Sequence, residues 1–377
     1  MTSIVYVDDD ADGLLGSLSE EYQRLFRTFN PNNKEEANAA FEAAAESDLW
    51  VFDFFYSNDR TQQSALEEDN GLSLFQKWRR LKLEERPPTA LVSSDLERAI
   101  GPGIPRARAH VLAQRAGVEW VGDKTQASAA VLVELADASS AIQKAVGALV
   151  SDDKATNADR ITNEETCLRL LNLPKDSSWR SSAERHLDRA RPPQLSSVSH
   201  PQAKARLLLA WLLHNVFPYP SFLITSYQSA IRLGITTASF DSLSRDETSD
   251  LGHQLRAVRY QGPFGTVGAD RWWRAGIDDI VWNFSQSKIG YAEALRVAAG
   301  GVPIRLLEID DPVIVSDVDL VETTEIASAR DCVRAQDEHF PSDVPPAWVK
   351  LVDAREHAEL GEKVIFEDRE LLAVTAQ

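Results

Sequence analysis

Apolar positions in the first 125 residues fall into short runs separated by stretches of helical period. Ile4–Val7 is a β-rich tetrad. Leu14, Leu15, Leu18, Tyr22, Leu25 and Phe26 then recur at helical spacing. Phe26–Phe29 reads as a second short strand. Asn33 suits the N-cap of a helix through Glu46, with Ala37, Ala40, Phe41 and Ala44 on one face. Leu49–Asp53 is an apolar run that ends in one carboxylate, the pattern of a strand buried on both faces. The polar Ser57–Asn70 reads as a loop and Leu72–Leu83 as a helix, which Pro87-Pro88 breaks. Thr89–Val92 is a fourth strand running into Ser93-Ser94, and a helix fills part of Leu96–Ala116. Val118–Val121 is a fifth strand, ending at Gly122-Asp123-Lys124, and a last helix starts near Thr125.

Strand followed by helix, five times over, predicts an α/β doubly wound five-stranded parallel sheet. Right-handed crossovers place the carboxyl ends of all five strands on one edge, where such sheets bind ligands. Asp8, Asp9, Asp53, Ser93 and Lys124 all fall at those ends. Three carboxylates on one rim repel unless a cation lies between them, and hard oxygen ligands of this kind suit Mg²⁺. An aspartate beside a metal, a hydroxyl and an ammonium group is set up to accept a phosphoryl group.

These residues resemble the receiver domain of the two-component response-regulator family over residues 1 to about 125–150. Ile4-Val5-Tyr6-Val7-Asp8-Asp9-Asp10 is similar to the family's first strand and acidic pair. Asp48-Leu49-Trp50-Val51-Phe52-Asp53 is similar to the strand that ends in the phosphoacceptor. Leu91-Val92-Ser93-Ser94 and Gly117 to Lys124 are similar to the strands that carry the switch hydroxyl and the lysine. The resemblance implies a flavodoxin-like receiver fold, with Asp53 as phosphoacceptor and Ser93 and Lys124 contacting the phosphoryl group. It implies Mg²⁺ held by Asp8, Asp9, Asp53 and the backbone carbonyl of Phe55. It further implies a histidine kinase or phosphotransfer protein as partner. The chain departs from the family pattern at Tyr56 and Thr125, each in place of a proline. It departs again at Val121, in place of a switching aromatic with Trp120 one position off, and in the long loop after Tyr56.

Thr125–Val150 carries Leu132, Leu135, Ser139, Ile142, Val146 and Leu149 at heptad spacing, which suits pairing with a second copy of the chain, while packing on the receiver sheet explains its first half equally well. This sets a receiver-like domain with an extended last helix at 1–150 and a linker at 151–162. Residues 163–377 form a mainly helical α+β output domain, with β structure near 302–322. Within it, helices are expected at Asn163–Leu173, Ser177–Ala190, Pro201–Val216, Ser221–Leu233 (with Gly234 closing it), Arg245–Val258 and Arg271–Phe284. Arg271-Trp272-Trp273-Arg274 with Trp282 reads as core before recognition surface, because adjacent helical positions point about 100° apart. The glycines at 262, 265 and 268 lack phosphate-loop spacing. Asp310, Asp311, Asp317 and Asp319 read as exposed strand ends. None of the seven histidines has catalytic spacing.

Charge narrows the output. The net charge is −18, with about 15 basic and 24 acidic residues before position 151 and about 25 and 34 after it. A DNA-binding output is therefore disfavoured, since phosphate neutralisation needs clustered positive charge. Cys167 and Cys332 lack metal-ligand spacing and read as reduced core residues. There is no apolar run of membrane-spanning length and no signal-peptide pattern, so a cytoplasmic protein is expected. The function expected is a phosphorylation-controlled regulator acting through protein–protein interaction. The alternatives are an unphosphorylated docking scaffold and an enzymatic activity in the second domain that no motif reveals.

Overall fold

Buried apolar runs pair into a parallel sheet at the N-terminal end of the chain. The structure is a computed structural model that describes residues 2–11, 15–16, 18–44, 46–55, 70–81, 86–100, 104, 106–150, 163–265, 269–341 and 344–373. The chain packs as two units, each assembled from separate stretches. The first comprises Met1–Asn172, Pro192–Pro218 and Gln261–Gly268; the second comprises Leu173–Arg191, Tyr219–Tyr260 and Ala269–Gln377. Residues 192–218 therefore belong to the first unit, although they follow the expected linker at 151–162, which lies outside the described residues.

In the first unit, β1 (Ile4–Val7), β2 (Phe26–Phe29), β3 (Leu49–Asp53), β4 (Thr89–Ser93) and β5 (Trp120–Asp123) form one sheet. Its order is β2-β1-β3-β4-β5 and every pairing is parallel. This is the flavodoxin-like doubly wound order, as the strand–helix alternation predicts. Every residue of β1, β3 and β4 is buried, which is why these strands lack a polar alternation. Trp50 and Phe52 meet Trp78 edge-on, at ring-centroid distances of 5.5 and 5.3 Å. The Trp50 indole N–H donates to the carbonyl of Ala44 at 2.9 Å, so the buried ring leaves no polar atom unpaired. Phe26 opens β2, as the Phe26–Phe29 run predicts, and of the helical period before it Glu20–Gln23 is one helical turn.

The Gln126–Val150 helix is continuous, as its spacing predicts. Leu132, Leu135, Ser139, Ile142 and Val146 along its heptad seam are all buried within the single chain. They lie against the sheet and along the Pro201–Trp211 helix. Within one chain, the helix that faces this seam comes from the chain itself. Pro201–Val216, expected as one α-helix, changes to a π-helix over Leu212–Val216. The π-helical segment packs beside the Ala109–Ala116 helix. Its buried His214 sets Nε2 3.1 Å from the carbonyl oxygen of Glu119.

The second unit is mainly helical. Thr225, Thr236 and Ser249 cap the helices Ser226–Arg232, Thr237–Arg245 and Asp250–Ala257, each through a side-chain oxygen that accepts a backbone N–H. Gly234 follows the first of these at φ +64°, a conformation suited to glycine. A two-stranded ribbon pairs β6 (Leu223–Ile224) with β7 (Trp272–Trp273). The helix expected from Arg271 therefore starts at Arg274. Both tryptophans are buried: Trp272 packs on Phe240, and Trp273 packs among Trp179, Phe222 and Tyr260. Strand geometry sends the two side chains to opposite faces, and both faces are covered. A four-stranded sheet, in the order β10-β11-β8-β9, closes the unit. Its strands are β8 (Pro312–Ser316), β9 (Glu322–Ser328), β10 (Cys332–Ala335) and β11 (Ala347–Lys350). Val318–Val321, part of the 302–322 stretch expected to carry β structure, lies in the turn before β9. Asp317 holds that turn by accepting the amides of Asp319 and Val321.

Candidate functional site

The chain leaves β1 on one side to form β2 and returns on the other side as β3. The carboxyl ends of β1 and β3 thus flank the topological switch point, where doubly wound sheets open a crevice. Asp8 follows β1 and Asp53 ends β3. Each is buried, at 1% and 3% exposure. One carboxylate oxygen from each of Asp8, Asp9 and Asp53 can be chosen so that all three lie within 4.8 Å of one another.

Lys124, just beyond β5, reaches across the rim between two of these acids. Its Nζ is 2.8 Å from Asp8 Oδ2 and 2.9 Å from Asp53 Oδ2. Burial would lower the lysine, but hydrogen bonds and charge from the two acids outweigh it and hold it above its ordinary value. Burial first, and the charge of Asp8 second, push Asp53 up to about 7. Lys124 and the Phe55 amide oppose that shift without cancelling it. The rim therefore carries more negative charge than one ammonium group balances.

Local hydrogen bonds fix the acids. The Tyr6 hydroxyl donates to Asp8 Oδ2, and the Asp10 amide donates to Asp8 Oδ1 at 2.8 Å. The Phe55 amide lies 3.4 Å from Asp53 Oδ1. Ser93, buried at the end of β4, accepts the Asp95 amide on its hydroxyl at 3.1 Å. The Lys124 amide donates to the Ser93 carbonyl at 3.1 Å, which ties the ends of β4 and β5 together. The structure thus brings Asp8, Asp9, Asp53 and Lys124 into one cluster, with Phe55 and Ser93 on the same edge. Tyr56 and the loop to Asp69 lie outside the described residues. Val121 is buried, and the Trp120 ring lies over Gly122. The Lys124–Thr125 peptide is trans, as threonine in place of proline leads one to expect.

Hard oxygen donors, three carboxylates converging on one point, fit a Mg²⁺ ion. Among the described residues no other group of potential ligands converges in this way.

Two supporting residues have no motif to announce them. Gly71 opens the helix Gly71–Leu81 directly against β3, and its amide donates to the Phe54 carbonyl at 3.1 Å. A Cβ there would lie 1.9 Å from the Asp53 carbonyl oxygen. Arg86 and Glu119 form a buried ion pair at the opposite end of the sheet. Two guanidinium nitrogens meet the two carboxylate oxygens at 3.1 and 3.2 Å. The hydrophobic pattern flags the first only as a glycine before a helix, and nothing in the sequence pairs the second.

The fold and rim define a flavodoxin-like α/β module with an acidic, lysine-bridged site at its switch point. No protein-family model matches the chain, and no curated protein matches it by sequence. Among solved structures the chain is similar to NtrX from Brucella abortus, crystallised in complex with ADP. The identity is 19%, over 53% of this chain and 44% of that one, with a TM-score of 0.28. The chain thus matches less than half the length of that protein. A likeness at that identity and score carries no argument, and the fold class stands on the sheet order.

Proposed function

We propose that the first unit is a receiver-type phosphoacceptor module of a signalling protein, with Asp53 as the acceptor. The observation that carries this reading is the Lys124 ammonium bridging Asp8 and Asp53 at a rim that also holds Asp9. In the transfer, an oxygen of Asp53 attacks the phosphorus of a phosphohistidine or small acyl phosphate donor. A P–O bond forms to Asp53 while the donor's P–N or P–O bond breaks, and its electron pair leaves with the donor. Mg²⁺, when bound, supplies neutralisation of charge on the phosphoryl oxygens. Asp8, Asp9, Asp53 and the Phe55 carbonyl would hold it. Lys124 stays within reach of one oxygen of the new acyl phosphate, and the Ser93 hydroxyl binds another. The partner this chemistry calls for is a histidine kinase or phosphotransfer protein. The acidic balance of the chain favours a protein partner over nucleic acid for the output.

A scaffold role is the second reading. What favours it is that Lys124 already neutralises part of the acidic rim. Exposure to a small phosphodonor with Mg²⁺ separates the two. Phosphoryl transfer to Asp53 supports the first, and its absence from a folded protein supports the second.

A further inference from the structure

The second unit contains a cavity of about 320 Å³, at the small end of the range for ligand pockets. The helix Ser226–Arg232, the start of the helix Arg274–Ser285, β8 and the approach to β11 line it, and it is open to solvent on one side. The pairing of the two strands beside it is short. β8 and β11 pair in parallel at one register position, Trp348 with Val315. Pro345 and Pro346, which lead into β11, have no N–H to extend the ladder. The walls are largely apolar and include Ile231, Ile314 and Trp348.

One side of the cavity is cationic. Arg232 and Arg274 both line it and share a single carboxylate. Arg232 Nη1 is 2.7 Å from Asp278 Oδ1, whereas Arg274 Nε is 3.7 Å from Asp278 Oδ2. The second distance is beyond a hydrogen bond, and Arg274 Nε is buried without an acceptor. A buried donor left in this state is costly. Arg274 is also the first residue of its helix, which has no side-chain cap and no acidic residue in its first turn. The partial positive charge of that terminus adds to the two guanidinium groups. Two arginines against Asp278 leave one positive charge in excess on this side, and Glu322 has the nearby Arg271 as its own counter-charge. Glu322, hydrogen-bonded by Gln228, lines the same cavity and disfavours a ligand of higher negative charge.

We propose that this cavity binds a small organic monocarboxylate with an apolar body. Its carboxylate is held by Arg232 and Arg274 and its body lies against Ile231, Ile314 and Trp348. A planar carboxylate can take two parallel N–H bonds from a guanidinium group, which suits it to Arg274. This site is separate in its chemistry from the acidic rim and does not rest on phosphorylation of Asp53.

Titration calorimetry on the full chain tests the proposal with phenylacetate, phenylacetamide and acetate as probes. Phenylacetate is expected to bind saturably, at least about tenfold tighter than either the neutral amide or acetate. Arg274→Gln and Arg232→Gln are each expected to weaken phenylacetate about tenfold. Ile231→Trp, which fills the cavity and leaves its charges, is expected to abolish binding. Circular dichroism establishes that each variant is folded. The comparison of phenylacetate with its amide on the wild-type protein stands whatever the variants do. No saturable binding of phenylacetate, or equal binding of the amide, overturns the proposal. So does binding that folded Arg274→Gln and Ile231→Trp both retain.

Discussion

Gly71 lies so close to Asp53 that a Cβ at position 71 would sit 1.9 Å from the Asp53 carbonyl oxygen. The helix after the long loop is thus seated on the backbone of the residue proposed as phosphoacceptor. Because the obstruction is backbone, it cannot rotate aside. Gly71→Ala is expected to shift the end of β3 and to destabilise the protein by about 1–3 kcal/mol, read as a lower urea midpoint. A Gly71→Ala protein as stable as wild type would show that this contact does not constrain the strand.

The Arg86–Glu119 pair predicts an asymmetric mutational response. Both side chains are almost fully buried, and Glu119 also accepts the Thr89 amide. Arg86→Met leaves a buried carboxylate without its cation, at a cost of about 3–5 kcal/mol. Arg86→Met with Glu119→Gln is expected to recover part of that loss, because the remaining amide oxygen still accepts Thr89. Denaturant unfolding of the two single variants and the double variant measures the coupling.

The seam of the Gln126–Val150 helix gives a prediction opposite to the one its heptad spacing suggests. Ile142 is 1% exposed within one chain. Ile142→Ala is expected to cost about 2–5 kcal/mol and to leave the molar mass in light scattering unchanged. A fall in molar mass with unchanged stability would instead place this seam between two copies.

His214 supplies a pH dependence. Burial holds it below the ordinary value of 6.5, although Glu119 pulls the other way. A histidine depressed on folding stabilises fully above its unfolded value. That contribution is lost as pH falls below about 6.5 and protons bind the unfolded chain more readily. The wild type is expected to lose more stability than His214→Gln between about pH 7.5 and about pH 5.5. Urea midpoints at the two pH values test this, and parallel losses in both proteins would contradict it.

The sequence carried the parallel sheet because its signals are local. Ile4–Val7 and Leu49–Asp53 are apolar on both faces and run directly into carboxylates, and a doubly wound topology sends those ends to one edge. The rim could therefore be assembled from Asp8, Asp9, Asp53, Ser93 and Lys124 without knowing a single distance. Features that depend on a distant partner were hidden. Ile142 and Val146 have heptad spacing whether the opposing helix belongs to a second chain or to residues 201–211 of the same one. Arg86 and Glu119 each look like an exposed charge until β4 and β5 are placed side by side. Trp272-Trp273 could not be phased, because a two-residue strand covered on both faces has no period to read.

The central claim is that Asp53 accepts a phosphoryl group, and intact-mass measurement tests it most directly. The full chain is incubated with acetyl phosphate and Mg²⁺, beside Asp53→Ala and a sample containing chelator. The predicted result is a gain of one phosphoryl group on the wild-type protein, absent from Asp53→Ala and from the chelated sample. An unmodified wild-type protein, or equal labelling of a folded Asp53→Ala, would contradict it.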